Sequence, residues 1–189
     1  MPSEVQNFDA KAGGKWFRIL PKHPEEHEGI AAFAEEFVAW IVSRLEMKPS
    51  VQHGFDAVHI HWIEPVETSE ALKIKSECPD LETQLPWTDI IEVRCSITTL
   101  PCSENDIIVG YTPCCSKGRI LIRHGLAQYC TFRAIADECY HVYQDYSRGC
   151  EWGRLSTNHE FAEEEAAAFA DSLAVPIRRF LELRGIFHK

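Results

Sequence analysis

Three side chains in the second half of the chain have types and spacing suited to chemistry at one point: Asp137, Glu138 and His141. Asp137 and His141 are four residues apart, so on a helix they lie one turn apart and their side chains can meet. A carboxylate oxygen and an imidazole nitrogen are both ligands of zinc, and a neighbouring glutamate can accept a proton from water. Taken alone, the segment is more simply a solvated acidic helix face, because short patterns of this kind arise easily.

A glutamate further along the chain favours the metal site. Glu165 falls within the apolar stripe of its own predicted helix, about 40° from Phe169 on a helical wheel. Its neighbours Glu163 and Glu164 are expected to point into solvent. A carboxylate on an apolar face is costly unless a metal ion, an arginine or a histidine pairs with it. Since Glu165 follows His141 by 24 residues, one helix can end and a second can fold back, so Asp137 and His141 are natural partners for this carboxylate.

Hydrophobic periodicity places these residues on two helices near the end of the chain. We predict helices at 29–47, 126–147 and 158–175, and a terminal turn or short helix to residue 183 after an interruption at Pro176. Strands are predicted at 58–63, 90–99, 106–111 and 119–123, and residues 64–88 are expected to form a long polar connection. Residues 1–28 are expected to be a polar N-terminal arm with a short strand at 16–20, and residues 29–189 a single domain. This order of elements predicts an α+β fold.

The composition is that of a soluble globular protein. The chain has 189 residues, of which 45% are hydrophobic, and its formal net charge is −10. This acidic balance argues against nucleic acid as a partner, because backbone phosphates attract basic surfaces. The apolar runs are far shorter than the roughly 20 residues that cross a bilayer, so no membrane partner is expected. The N-terminal residues do not resemble a secretory signal, and a cytoplasmic location is the expectation.

Eight cysteines and two strand histidines give weaker signals. The cysteines are Cys78, Cys95, Cys102, Cys114, Cys115, Cys130, Cys139 and Cys150. No two of them have CxxC spacing, and we expect most of them to be free thiols that pack as small apolar residues. A structural metal site that joins Cys102 to Cys114 or Cys115 is the less favoured alternative. His59 and His61 share one face of a predicted strand, which is more simply its solvated side than a zinc site.

The two helical segments resemble a known family. Ala136-Asp-Glu-Cys-Tyr-His141, preceded by residues 131–135, is similar to the HExxH segment of zincin metallopeptidases, with DExxH in its place. Residues 165–170 and the following 171–176 are similar to the EAnxFAxxLLxP segment of the ImmA/IrrE-like group, and the predicted strand at 119–123 also fits. The resemblance spans residues 105–180.

This resemblance implies a zincin-like fold, in which an N-terminal helix and a small mixed sheet precede an active-site helix and a glutamate-bearing helix. It implies one zinc ion held by Asp137, His141 and Glu165, with Glu138 as the general base. The implied activity is hydrolysis of a peptide bond in a protein or peptide substrate by water activated at the metal.

Two other functions remain open. The first is an inactive pseudo-peptidase that acts by binding a protein partner, with the same four side chains forming a buried hydrogen-bonded cluster. The second is a metal enzyme of another class, because two carboxylates and one imidazole also suit iron or manganese. The identity of the bound metal separates this last possibility from a zinc peptidase.

Overall fold

The computed structural model describes residues 15–20, 28–50, 55–77, 90–93, 110–112, 117–149, 152 and 156–186, which form five strands and five helices. In chain order the elements are β1 (Lys15–Ile19), α1 (Glu28–Arg44), β2 (His59–Val66), α2 (Thr68–Glu77), β3 (Ile90–Val93), β4 (Gly110–Tyr111), β5 (Arg119–Arg123), α3 (Gln128–Arg148), α4 (Ser156–Ser172) and α5 (Ala174–Leu183). The class is α+β, as predicted. No helix in these ranges combines the length and the apolar character that crossing a bilayer requires.

The strands form one small mixed sheet in the order β3-β1-β2-β5-β4. Strand β1 is antiparallel to both β2 and β3, β2 is parallel to β5, and β4 is antiparallel to β5. The parallel pair aligns His59 with Arg119 and Ile63 with Arg123. Strand β4 is therefore an edge of the sheet in the described part of the chain, and it lies against α3.

Helix α3 is the central element of the fold. It packs against β5, α1, α4 and α5. Hydrophobic periodicity predicts a core-facing stripe of Phe132, Ile135, Cys139, Val142 and Tyr146, of which the first four are at most 2% exposed and Tyr146 is partly buried against the same core. These side chains share one core with residues of β2 and β5, which include Trp62, Ile120 and Ile122. The opposite side of α3 carries the candidate chemical residues and meets α4.

One predicted connection is wrong. Residues 64–88 are not simply a polar connection, because β2 continues to Val66 and α2 occupies Thr68–Glu77. Among the described side chains of α2, only Ala71 is buried, and Leu72 is 53% exposed. No apolar stripe is therefore visible among the side chains described for α2, and periodicity did not detect this helix.

The other elements differ from the prediction mainly at their ends, and the predicted strand residues 94–99 and 106–109 lie outside the described residues. Strand β5 occupies the predicted 119–123, whereas α4 ends at Ser172 and α5 begins at Ala174. Pro176 therefore lies in the first turn of α5, where a proline is tolerated because the N–H groups of that turn have no partner within the helix. Strand β1 confirms the short strand expected within the N-terminal arm, while the extents of arm and domain stay predictions.

Candidate functional site

Buried polar side chains are concentrated on α3. The structure buries five polar or charged residues to at most 5% exposure within its described ranges, and all five lie on this helix. They are Thr131, Arg133, Asp137, Glu138 and Gln144. Removing a charged group from water costs free energy unless another group pairs with it. A helix that buries two carboxyl groups and a guanidinium therefore needs partners from the elements around it.

His141 lies between two carboxylates that come from different helices. Its Nε2 is 3.7 Å from Oδ2 of Asp137 on α3 and 3.6 Å from Oε1 of Glu163 on α4. The other carboxylate oxygen of Asp137, Oδ1, is buried and has no hydrogen-bond partner among the described residues. We refer to Asp137, Glu138, His141 and Glu163 together as the α3–α4 site.

Glu165, the expected third ligand, lies with other partners. Its Oε2 is 2.5 Å from Nη1 of Arg148, and its Oε1 is 3.0 Å from Nη2 of the same side chain. It also accepts a hydrogen bond of 3.1 Å from Nε2 of Gln144. An arginine is one of the partners that the sequence left open for this carboxylate. The structure therefore places Glu163, and not Glu165, beside His141.

Glu163 departs from its expected solvated position because the buried face of α4 is rotated slightly from the predicted stripe, of which Ala162, Ala166 and Leu173 are buried as expected. Phe169 was counted in that stripe but is only half-buried, whereas Ala170 is completely buried. The buried face of α4 is therefore centred on Ala166. At about 100° per residue, Glu163 lies about 60° from Ala166, while Glu165 lies about 100° from it on the other side.

Gln144 connects His141 to α4. Its Oε1 is 2.9 Å from Nδ1 of His141, and its Nε2 donates hydrogen bonds to the backbone oxygen of Ala162 at 2.9 Å and to Oε2 of Glu165 at 3.1 Å. Gln144 is three residues after His141, so the two side chains are neighbours on one helix face. The spacing of three residues could have predicted this contact. It was not predicted because a glutamine on the polar side of a helix is usually solvated.

Glu138 is buried against the edge strand. It is 5% exposed, and the hydroxyl of Thr112, which follows β4, lies 2.7 Å from its Oε2 and 3.1 Å from its backbone oxygen. A Cβ atom added to Gly110 would lie 2.7 Å from both Cγ and Oε1 of Glu138. The close approach of β4 to this carboxyl group therefore requires glycine at position 110. Sequence spacing gave no signal for either residue, because both are more than 25 positions from Glu138.

Burial and like charges set the proton affinities of the site. Burial raises the pKa of Asp137 to about 6 and the pKa of Glu138 to about 8. Burial also lowers the pKa of His141, but the carboxyl groups of Glu138, Asp137 and Glu163 outweigh it, and the net shift of that pKa is upward. The α3–α4 site therefore attracts positive charge, either as protons or as a metal ion.

The donor atoms of the site are of the chemical types that bind divalent metal ions. As the side chains stand, no three histidine, cysteine, aspartate or glutamate side chains of the described residues enclose a metal position. Two ligand atoms of tetrahedral zinc, each about 2.0–2.1 Å from the metal, are about 3.3 Å apart. The distances of 3.7 Å and 3.6 Å to Nε2 of His141 exceed this value by a few tenths of an ångström. The two contacts are therefore slightly longer than in a zinc-bound pair, and Oδ1 of Asp137, which is buried without a hydrogen-bond partner among the described residues, is a further candidate donor atom.

A buried arginine lies one turn before Asp137 on α3. Arg133 donates from Nε and Nη2 to Oδ1 of Asp171, at 3.0 Å and 2.7 Å, while its Nη1 is buried without a partner in the described ranges. Burial has the largest effect on the pKa of Asp137, and the charge of Arg133 acts against it. Arg133 thus offsets part of the negative charge of the site.

Neither of the two described cysteines, Cys130 and Cys139, belongs to the α3–α4 site. Cys139 is a buried free thiol on the apolar stripe, and burial raises its pKa, so it is an inert packing residue. Cys130 departs from the expected free thiols because it is disulfide-bonded. Disulfides are uncommon in cytosolic proteins, so the cytoplasmic location stays a prediction. The alternative metal site at Cys102 with Cys114 or Cys115 lies outside the described residues.

The two strand histidines lie on a different surface. His59 and His61 alternate along β2 with Ile60 and Trp62, which pack into the core beneath α3, so the histidines face the other side of the sheet. Nε2 of His59 lies 3.5 Å from Oδ1 of Asp56. Burial lowers the pKa of His61. They are therefore separate from the α3–α4 site.

No protein-family model, curated protein or solved structure matches this chain. The resemblance to zincin metallopeptidases therefore depends on the quoted motifs, and the functional argument depends on the geometry of the α3–α4 site.

Proposed function

We propose that the α3–α4 site binds one divalent metal ion, with zinc as the first candidate, and that the protein is a metallopeptidase with a zincin-like fold. Asp137, His141 and Glu163 are the proposed ligands, and Glu138 is the proposed general base. Glu163 replaces Glu165 in this set because it lies beside His141, whereas Glu165 is paired with Arg148.

The observation that carries the proposal is the placement of one imidazole nitrogen between carboxylates of two helices. Nε2 of His141 faces Asp137 and Glu163 at 3.7 Å and 3.6 Å, and a further buried oxygen of Asp137 has no partner among the described residues. Two carboxylates around one imidazole nitrogen concentrate negative charge, so the arrangement favours a cation at this point, either a proton on His141 or a metal ion. Zinc takes this combination of carboxylate and imidazole ligands.

Glu138 has the position for general base catalysis. It lies on α3 between the ligands Asp137 and His141, and a divalent cation bound beside it would lower its raised pKa and favour the carboxylate form that accepts a proton. The hydroxyl of Thr112 fixes its Oε2. In the proposed reaction Glu138 accepts a proton from the attacking water and later delivers it to the leaving amine. Bound zinc would supply the Lewis acidity that polarises the peptide carbonyl and makes water a stronger acid.

The edge of the sheet supports a peptide as substrate. Strand β4 ends the described sheet and packs directly on Glu138 through Gly110. A sheet edge can hydrogen-bond to an extended peptide as an added strand. A peptide bound in this way would lie along Glu138, with a carbonyl group near the proposed metal position.

Metal analysis tests the proposal first. Protein purified without chelators should contain zinc, and metal-free protein should bind added zinc in a competition titration against a coloured chelator. The variant His141→Asn should lose this binding, while Glu164→Gln, at an exposed position next to the proposed ligand, should retain it. A wild-type protein that neither contains nor binds zinc would contradict the catalytic proposal, and preferential retention of iron or manganese would favour a metal enzyme of another class.

An activity assay completes the test. Unstructured protein and peptide mixtures should be cleaved by the zinc-loaded wild type and not by Glu138→Gln, with products identified by mass spectrometry. If the wild type binds zinc tightly but cleaves nothing in a broad mixture, hydrolysis of general peptides is excluded as the function.

A pseudo-peptidase that binds a protein partner is the second candidate, and Asp137 is the residue that favours it. Asp137 stands where HExxH has a histidine, and its pKa of about 6 lets a proton take the place of a metal ion below that pH. Protonated carboxyl groups around His141 would then form a metal-free cluster held together by hydrogen bonds.

A further inference from the structure

The side-chain amide of Gln144 has a fixed orientation. Its Nε2 has two oxygen acceptors, the backbone oxygen of Ala162 at 2.9 Å and Oε2 of Glu165 at 3.1 Å. A flipped amide would place its oxygen next to these two oxygen atoms. None of the three atoms carries a hydrogen to donate, so no hydrogen bond could form. The amide oxygen of Gln144 therefore faces His141.

This orientation decides which nitrogen of His141 carries the proton. The amide oxygen lies 2.9 Å from Nδ1 and can only accept, so Nδ1 must donate its hydrogen. In the neutral imidazole, Nε2 is then the nitrogen with the free lone pair. That is the same atom that lies 3.7 Å from Asp137 and 3.6 Å from Glu163.

The position of Gln144 is in turn maintained from the end of α3. Glu165 accepts from Gln144 and is held by both terminal nitrogens of Arg148. The guanidinium of Arg148 also lies over the ring of Trp152, 4.2 Å from its centroid. These contacts form a continuous chain of side chains from the ring of Trp152 to His141.

We propose that Arg148, Glu165 and Gln144 form a positioning relay, which fixes His141 as the tautomer protonated at Nδ1 and directs Nε2 at the metal position between Asp137 and Glu163. The metal position rests on the proposed function, whereas the tautomer does not. The relay assigns a role to Glu165 as a positioning residue, in place of the ligand role that the sequence predicted. Partners that orient a metal-binding histidine typically contribute 10–100-fold to metal affinity.

The tautomer of His141 can be measured directly in the metal-free protein. Long-range proton–nitrogen correlation spectra, recorded above the pKa of His141, distinguish a ring protonated at Nδ1 from one protonated at Nε2. We expect the wild type to be protonated at Nδ1 and Gln144→Met to contain a substantial Nε2-protonated population. Because the wild-type spectrum requires no variant, a ring protonated at Nε2 in the wild type overturns the proposal even if Gln144→Met does not fold.

Zinc affinity separates a relay from a direct ligand. Glu165→Gln keeps an oxygen for Gln144 but loses the ion pair with Arg148, so we expect a loss of zinc affinity of less than about 10-fold. Gln144→Met should lose about 10–100-fold, and Glu164→Gln should be unchanged. Loss of binding in Glu165→Gln as complete as in Glu163→Gln would show that Glu165 is a ligand and would overturn the relay. A wild type that binds no metal refutes the proposed function, while the metal-free spectrum still decides the tautomer.

Discussion

Oε1 of Glu163 on α4 lies 3.6 Å from Nε2 of His141 on α3, and this contact joins the two helices into one acidic site. The two residues are 22 positions apart in sequence, and they lie on helices that are consecutive along the chain. The approach is close because Ala162, Ala166 and Ala170 on the buried face of α4 have small side chains. The carboxylate of Glu163 can therefore reach a nitrogen on the neighbouring helix.

The substitution Glu163→Gln is expected to remove most of the zinc affinity. The amide keeps the size of the side chain but loses the negative charge and is a poor zinc ligand. The loss should exceed the roughly 10–100-fold effect of an outer partner. A competition titration with a coloured chelator measures it.

The exposed neighbour provides the control for that measurement. Glu164→Gln makes the same change in charge one residue away and should leave zinc binding unchanged. Equal losses in the two variants would indicate a general effect of charge on metal affinity and would contradict a ligand role for Glu163.

The substitution Asp137→His is expected to increase zinc affinity. It restores a second imidazole at the first position of the HExxH spacing and removes one of the two carboxylates, which gives a donor set that zinc prefers over harder ions. Zinc affinity and peptide cleavage should be measured together in the wild type and the variant. Cleavage that appears only in the variant supports the pseudo-peptidase, whereas equal affinity and cleavage in both proteins contradict it.

The sequence predicted the elements that have strong periodicity. Helix α3 and strand β5 were found because their apolar residues recur at helical or strand spacing. Helix α2 was missed because only Ala71 is buried among its described side chains, and a single buried residue gives no periodic pattern. The i, i+4 spacing likewise predicted that Asp137 and His141 meet, since both lie on one helix.

The part of the site that joins different elements could not be derived from spacing. The choice between Glu163 and Glu165 depends on the rotation of α4 about its axis, which the packing of Ala166 and Ala170 determines. Thr112 reaches Glu138 only because β4 pairs with β5 in the sheet. Such contacts are set by tertiary packing and have no local sequence signal.

The stability of the metal-free protein should depend on pH through Glu138. Its pKa rises from 4.5 to about 8 on folding because burial favours the neutral form. The folded state therefore binds this proton more tightly, so the stabilisation is complete below about pH 4.5 and is lost as the pH rises through about 8. Urea unfolding in the presence of a chelator, at several pH values, measures this loss.

A comparison with Glu138→Gln isolates this contribution from all other titrating groups. The amide stays neutral, so the variant should gain stability relative to the wild type as the pH rises from 5 to 8.5. A difference between the two proteins that does not change with pH would mean that Glu138 titrates near its ordinary pKa.

Thr112→Val should destabilise the metal-free protein more at pH 8.5 than at pH 5. Valine has nearly the shape of threonine but cannot donate the hydrogen bond of 2.7 Å to Oε2 of Glu138. A buried acceptor without its donor costs about 1–3 kcal/mol, and more when it is charged, so the cost grows as Glu138 ionises. Thr112→Ser keeps the hydroxyl and should behave like the wild type at both pH values.

If the valine and serine variants are equally destabilised at both pH values, the methyl group matters and the hydroxyl does not. Position 112 would then act through packing alone, and β4 would have no direct influence on the charge of Glu138.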